Sequence, residues 1–291
     1  MSYGSIEAIK ERCKKEGIEF WKAVQIEDCS ERNVSEESSW KEMTRMWRIM
    51  CENVDTYEPD RISRSGLVGK EGGLMEEYQK KGDTLCGDFM AKVMTVALKM
   101  GCNNACMKRI IAAPTAGACG VLPAVLIPYF KEHEVPEETM VEAMYVAAGV
   151  GQVIANRAFL AGAAGGCQAE IGSGSAMAAA AICHVKGADA ETMGHAAAMA
   201  LKNLMGLVCD PVAGLVEVPC VKRNVGGAVN ALAAADMALA GITSRIPVDQ
   251  VIDAMREVGD KMDVSLRETG AGGVATSITG VEIAERIIQT E

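Results

Sequence analysis

The sequence predicts an all-α protein: a compact multi-helix domain, residues 61–291, preceded by an N-terminal helical arm, residues 1–60. Three observations carry that prediction. Apolar residues recur at helical spacing along most of the chain. Hydrophobic residues make up 49% but aromatics only 4%, and heavy use of Ala, Gly and Met lets helices approach closely. No alternating series reads as strands, and no repeat period or low-complexity linker divides the chain.

The arm opens with Ile6, Ile9 and Cys13 at helical spacing, and Trp40, Met43, Met46, Trp47 and Met50 repeat that spacing more strongly. This stripe is expected to pack on the main body or on another subunit. A turn-rich stretch follows, with Ser63, Ser65, Gly66, Gly69, Gly72 and Gly73. Serine hydroxyls and glycine amides there suit an anion such as a substrate carboxylate, with Ser65 and Gly66 as the expected contacts. Residues 89–100 form a helix with Val93, Val96, Ala97 and Met100 on one face.

Residues 112–120 make a Gly-rich turn feeding a helix at Val121. Such a junction presents unpaired amides and favours an anion, so Thr115, Ala116 and Gly117 are further substrate contacts. It is not a P-loop, because the Gly-Lys-Ser/Thr ending is missing. The uncharged run 110–130 is long enough to span a bilayer, but Pro114, Pro123 and Pro128 favour a buried loop plus helix.

From Glu137, after Pro136, a helix runs to about Leu160. Ser173 or Ser175 is expected to cap a helix reaching Cys183, and Asp189 one over 190–204. Helices over 224–239 and 248–262 follow, the second started by Pro247. Thr279 is expected to cap 281–288.

The net charge of −10 argues against nucleic acid and anionic membranes as main partners. Eleven cysteines, behind a polar N-terminus without a leader pattern, point to the reducing cytoplasm. Three of them stand out. Cys167, Cys209 and Cys220 are separated by 41 and 10 residues, with Gly166, Pro211 and Pro219 close by. That context places thiol ligands on inter-helix loops, where they can converge on a metal. Thiolates suit zinc or iron–sulfur clusters. The paired spacing and fourth ligand of structural zinc are missing. From spacing alone, three buried unreacted thiols remain the alternative.

Glu170 is the only formally charged residue between Ala158 and Val185, so it is paired, protonated or beside a metal. Lys222 and Arg223 adjoin Cys220. Arg267 could clamp a carboxylate bidentately, with Thr269 beside it. The Gly270-x-Gly272 pattern that follows imitates a dinucleotide fingerprint, but no hydrophobic strand precedes it. His133, His184 and His195 sit in helical contexts and read as structural or surface residues.

The segments Ala113-Pro-Thr-Ala-Gly-Ala-Cys-Gly-Val-Leu-Pro-Ala-Val-Leu126, Gly166-Cys-Gln-Ala-Glu-Ile-Gly172, Cys209-Asp-Pro-Val-Ala-Gly214, Val218-Pro-Cys-Val-Lys-Arg-Asn224 and Leu266-Arg-Glu-Thr-Gly-Ala-Gly-Gly273 resemble the iron–sulfur-dependent L-serine dehydratases. The resemblance is to the alpha subunit of the two-subunit type. It implies a [4Fe–4S] cluster on Cys167, Cys209 and Cys220, and conversion of L-serine to pyruvate and ammonia by elimination of the hydroxyl at the cluster's open iron. Glu170, Lys222 and Arg267 become the candidate catalytic residues. Single-chain members carry a beta domain with a Ser-Ser-Ser-His-Thr motif, which this sequence lacks, so a separate beta subunit is expected to complete the site. Some members also block the cluster with a C-terminal cysteine. This sequence ends Ile288-Gln289-Thr290-Glu291, so that device is not expected. The alternatives are a related lyase on another small amino acid, such as L-cysteine desulfidation, and a non-catalytic helical protein with a structural metal site.

Overall fold

The structure, a computed structural model, describes residues 3–289; Thr290 and Glu291, on which the expectation about the C-terminal tail partly rests, lie outside the described residues. Among these there is no sheet, and the single strand-like pairing is an isolated parallel bridge between Cys209 and Arg267. The chain is all-α, as its periodicity predicts.

The arm comprises α1 (Ile6–Glu16), α2 (Phe20–Arg32) and α3 (Glu36–Asp55). Ser5 and Ser35 accept hydrogen bonds from Ala8 N and Ser38 N, satisfying amides that a helix start leaves open. Its apolar faces join the main core: Ile6, Ile9, Phe20, Trp47 and Met50 are buried with residues of the later helices. Within the predicted stripe, Met46 instead faces solvent at 44% exposure.

The body follows as α4 (Glu71–Lys80), α5 (Gly87–Ala105), α6 (Val121–His133), α7 (Glu137–Arg157), the short α8 (Gly162–Gly165), a π-helical turn (Gln168–Gly172), α9 (Ser173–Val185), α10 (Ala190–Leu204), α11 (Cys220–Leu239), α12 (Val248–Lys261) and α13 (Ile278–Ile288). Helix α9 is the central pillar, packed by α6, α7, α10 and α11. Residues 173–183 are all buried, and Ala178 to Ala181 have no exposed surface. Side chains this small let four neighbours close on one helix. The uncharged run 110–130 is indeed a loop followed by the buried start of α6. No helix among the described residues is long and apolar enough to cross a membrane.

Several local expectations are corrected. Ser173 and Ser175 cap nothing, because the π turn runs straight into α9 and makes them interior residues. Ser175 Oγ instead donates to Gly227 O at 2.8 Å and accepts from Asn230 Nδ2 at 2.8 Å, tying α9 to α11. Gly72 and Gly73 lie in the first turn of α4, not in a loop. A Cβ at Gly72 would lie 3.1 Å from the Lys99 Cα, so glycine permits the close approach of α4 to α5. Helix α11 begins at Cys220, four residues before the expected start. The cap of α13 is Ser277, which accepts from Gly280 N, rather than Thr279.

Candidate active site

Cys167 stands immediately before the π turn, Cys209 lies in the extended segment between α10 and α11, and Cys220 is the first residue of α11. Two of the three thiols therefore sit at helix starts rather than in loops. There the helix dipole and open amides favour a thiolate. All three are free and buried.

Each segment is held by specific bonds. Gln168 anchors the π turn: its backbone N donates to Leu207 O at 2.9 Å, its Nε2 to Met255 O at 3.1 Å, and its Oε1 accepts from Gly206 N at 2.8 Å. Cys209 N donates to Leu266 O at 2.8 Å, and Glu268 N donates to Cys209 O at 2.7 Å, which draws residues 267–269 alongside Cys209. Asn224, one turn after Cys220, is 1% exposed. Its Nδ2 donates to Cys220 O at 3.0 Å and Gly117 O at 2.8 Å, and its Oδ1 accepts from Gly120 N at 2.8 Å. The Thr115–Gly117 turn is thereby fastened to the start of α11.

Glu170 projects from the π turn, whose extra residue redirects side chains relative to a regular helix. Its Oε2 is 4.0 Å from Cys209 Sγ. Glycines make room for the pair: a Cβ at Gly162 would lie 2.7 Å from Cys209 Sγ, and one at Gly117 would lie 3.0 Å from Glu170 Oε2. Burial raises the Glu170 pKa above the usual carboxyl range, opposed by Thr115 and reinforced by Glu268. Thr115 Oγ1 faces Glu170 without making a well-formed hydrogen bond.

Arg223 supplies the positive charge. It donates to Val208 O at 2.8 Å, pairs with buried Asp210 at 2.9 Å and lies against Cys167. Asp210 also accepts from Val274 N at 2.8 Å, which fixes the glycine-rich loop after Arg267. The Cys167 thiol is lowered, first by the facing Cys209 thiol and then by Arg223, while Cys209 is raised by the same contact and by burial. Burial pushes Cys220 up to about 12.

The other predicted residues are placed as follows. Lys222 is exposed and donates to Glu71 at 3.0 Å, so Arg223, not Lys222, reaches the thiols. Ser65 donates to Glu217, and the Gly66 amide donates to Ser63 O at 2.9 Å. Thr269 Oγ1 donates within its own loop, to Val264 O and Ser265 O. Arg267 Nε is buried and, like Thr115 Oγ1, has no hydrogen-bond partner. The Ala116 and Gly117 amides donate no hydrogen bond among the described residues. His133 stacks on Tyr129, while His184 and His195 face Glu142 and Glu191. Asn224, Asp210 and Glu217 were missed in sequence. Asn224 alone left a trace, as a polar residue one turn after Cys220.

Among the described residues, no three His, Cys, Asp or Glu side chains stand close enough to bind one metal ion. A cluster makes a different demand, since each thiolate binds a separate iron. The donor set fits such a group: three soft thiols, free of disulfides, with an arginine to offset their charge.

The site is thus three buried free thiols in an all-helical protein, with a half-buried carboxyl 4.0 Å from one of them. Residues 15–275 match the family model described as serine dehydratase alpha chain. The chain is 50% identical over 225 residues to the probable L-serine dehydratase, alpha chain, of Bacillus subtilis (strain 168), covering 77% of this chain and 75% of that one. It is 40% identical over 272 residues to the L-serine dehydratase, alpha chain, of Peptoniphilus asaccharolyticus, covering 93% of each. It is 32% identical over 291 residues to L-serine dehydratase 2 of Escherichia coli (strain K12), covering 96% of this chain and 63% of that one. The chain belongs to the serine dehydratase alpha-chain family.

Proposed function

We propose that this chain is the alpha subunit of an iron–sulfur L-serine ammonia-lyase. It would act in the reducing cytoplasm with a separate beta subunit, making pyruvate and ammonia from L-serine. The observation that carries the reading is three buried free thiols, with Cys167 facing Cys209, Cys209 Sγ 4.0 Å from Glu170 and Arg223 against Cys167. Loss of water from L-serine leaves aminoacrylate, which tautomerises and is hydrolysed to pyruvate and ammonia.

Cys167, Cys209 and Cys220 would hold a [4Fe–4S] cluster. When bound, it supplies an iron without a protein thiolate, a Lewis acid for the hydroxyl that must leave. Glu170, whose burial favours the protonated form, would give a proton to the departing oxygen. Arg267 Nε and Thr115 Oγ1, buried without partners, take the substrate carboxylate together with the free Ala116 and Gly117 amides. Ser65, Gly66 and Thr269 are the further candidates for substrate contact. Lys222 is the candidate on this chain for removing the α-proton, once released from Glu71; a group on the beta subunit is the other source. The match over 93% of the Peptoniphilus asaccharolyticus protein, itself named an alpha chain, supports a separately supplied partner.

The test compares L-serine, L-cysteine and L-threonine as substrates of the reconstituted enzyme. L-serine is expected to give the highest kcat/KM. Clear superiority of L-cysteine would move the assignment to a desulfidase.

A further inference from the structure

Glu217 is a buried carboxylate with no cation to balance it. The residue is 7% exposed, and among the described residues no lysine, arginine or histidine pairs with it. Its Oε2 accepts from Ser63 Oγ at 2.9 Å and from Ser65 Oγ. Its Oε1 accepts nothing, yet it is not among the polar atoms sealed from solvent, so it faces accessible space. A buried charge in this condition is costly unless a counter-ion completes it.

The bonding around Glu217 fixes the sign of what fits. A serine hydroxyl has one proton; that of Ser65 serves Glu217 or Ser63, and that of Ser63 serves Glu217 or, at 3.0 Å, Ser65, so neither is left over. Toward a ligand, the two oxygens can only accept. Three backbone amides of the turn are also spent, Gly66 N on Ser63 O, Leu67 N on Ser65 Oγ at 3.1 Å and Val68 N on Ser63 Oγ at 3.4 Å, while those of Arg64 and Ser65 donate to nothing among the described residues. The turn thus already holds an anion, the protein's own carboxylate. The carboxylate repels a second anion and attracts a small cation, which the lone pairs of Glu217 Oε1 and the two hydroxyls can meet.

The backbone ties this carboxylate to the thiol site. Glu217 O accepts from Val221 N at 3.0 Å, in the first turn of the helix that Cys220 begins. The end of α5 ties both loops together, since Arg61 donates to Cys106 O at 3.0 Å and Asn104 to Ala116 O at 3.2 Å.

We infer that Glu217, with Ser65, binds the ammonium group of the amino-acid substrate. This rests on the L-serine reading above and deepens it. One end of the site reads the amino group, while Arg267 and Thr115 read the carboxylate. The charge expected of the Ser65 turn from sequence is thereby reversed.

L-alanine and L-lactate test this, since they differ only in carrying an ammonium or a hydroxyl on the same carbon. Both are measured as inhibitors of pyruvate formation by the reconstituted two-chain enzyme. The wild type should prefer L-alanine by about tenfold or more, the scale of a charged hydrogen bond. Glu217→Gln should erase that preference and raise KM for L-serine by a similar factor, with kcat much less affected. Glu217→Asp should restore part of the preference. If melting shows that Glu217→Gln does not fold, Ser65→Ala takes its place and should weaken the preference while leaving the carboxylate. An unchanged preference in the folded variants overturns the inference. So does a variant that loses only a requirement for inorganic monovalent cations. A wild type that makes no pyruvate counts against the L-serine reading instead. In that case thermal shifts with L-alanine and L-lactate on the same complex decide the ammonium site by themselves.

Discussion

Asn224 shows how one side chain sets the geometry of several others. It joins the carbonyls of Gly117 and Cys220 and the amide of Gly120. Asn224→Ala leaves a buried donor and a buried acceptor without partners and should cost roughly 2–3 kcal/mol. Urea unfolding measures this; a loss below about 0.5 kcal/mol, the ordinary scatter of surface changes, would contradict the role. At this scale the sequence was only partly informative. The three cysteines and Glu170 drew notice, because thiols near Gly or Pro and a lone carboxylate in an apolar run are conspicuous in a line of text, and the structure sets Glu170 4.0 Å from Cys209. Asn224, Asp210 and Glu217 were not, because their importance comes from partners 104, 64 and 154 residues away in the chain. Arg223 and Lys222 are adjacent in sequence. Only the helical rotation separates one beside Cys167 from one on Glu71.

Helix boundaries tell a similar story. Asp189 caps α10 as predicted, accepting from Thr192 N at 2.8 Å, and that backbone bond lowers its pKa. Its folded pKa lies below the unfolded value, so the stabilisation is present in full above the ordinary carboxylate pKa near 4 and is lost as pH falls through the folded value. Asp189→Ala should therefore lower stability by about 1 kcal/mol at neutral pH, and the difference should vanish in acid. Melting curves of both proteins between neutral and acid pH check this; a gap that persists in acid would contradict it. Ser173 and Ser175 misled for a physical reason. Serine reads as a cap when a helix is taken to start there, but the π turn had already begun the helix at Gln168. In a segment with so little polarity, periodicity does not reveal that irregularity.

For the molecule as a whole, the all-α fold followed from composition and from the missing strand pattern. The order of packing did not. Nothing in residues 173–183 taken alone says that four helices close around them, since a uniformly small, apolar helix presents no preferred face. The arm belongs to this scale too. Trp21 and Trp40 meet Tyr145 of α7 with ring centroids 6.5 Å and 6.1 Å away, and Tyr145 shares a 2.6 Å hydrogen bond with Ser39. The arm thus shares the core of the body that carries the thiols.

As proposed, Cys167, Cys209 and Cys220 hold a catalytic cluster completed by a second chain. The most direct measurement is anaerobic reconstitution with iron and sulfide of the wild type and Cys209→Ala, each alone and with the beta subunit. Bound iron, bound sulfide and pyruvate from L-serine are read on the same samples. The expected result is a brown wild type that makes pyruvate only with its partner, and a colourless, inactive but folded Cys209→Ala. Full activity in Cys209→Ala, or pyruvate formation by a wild type free of iron, would contradict it.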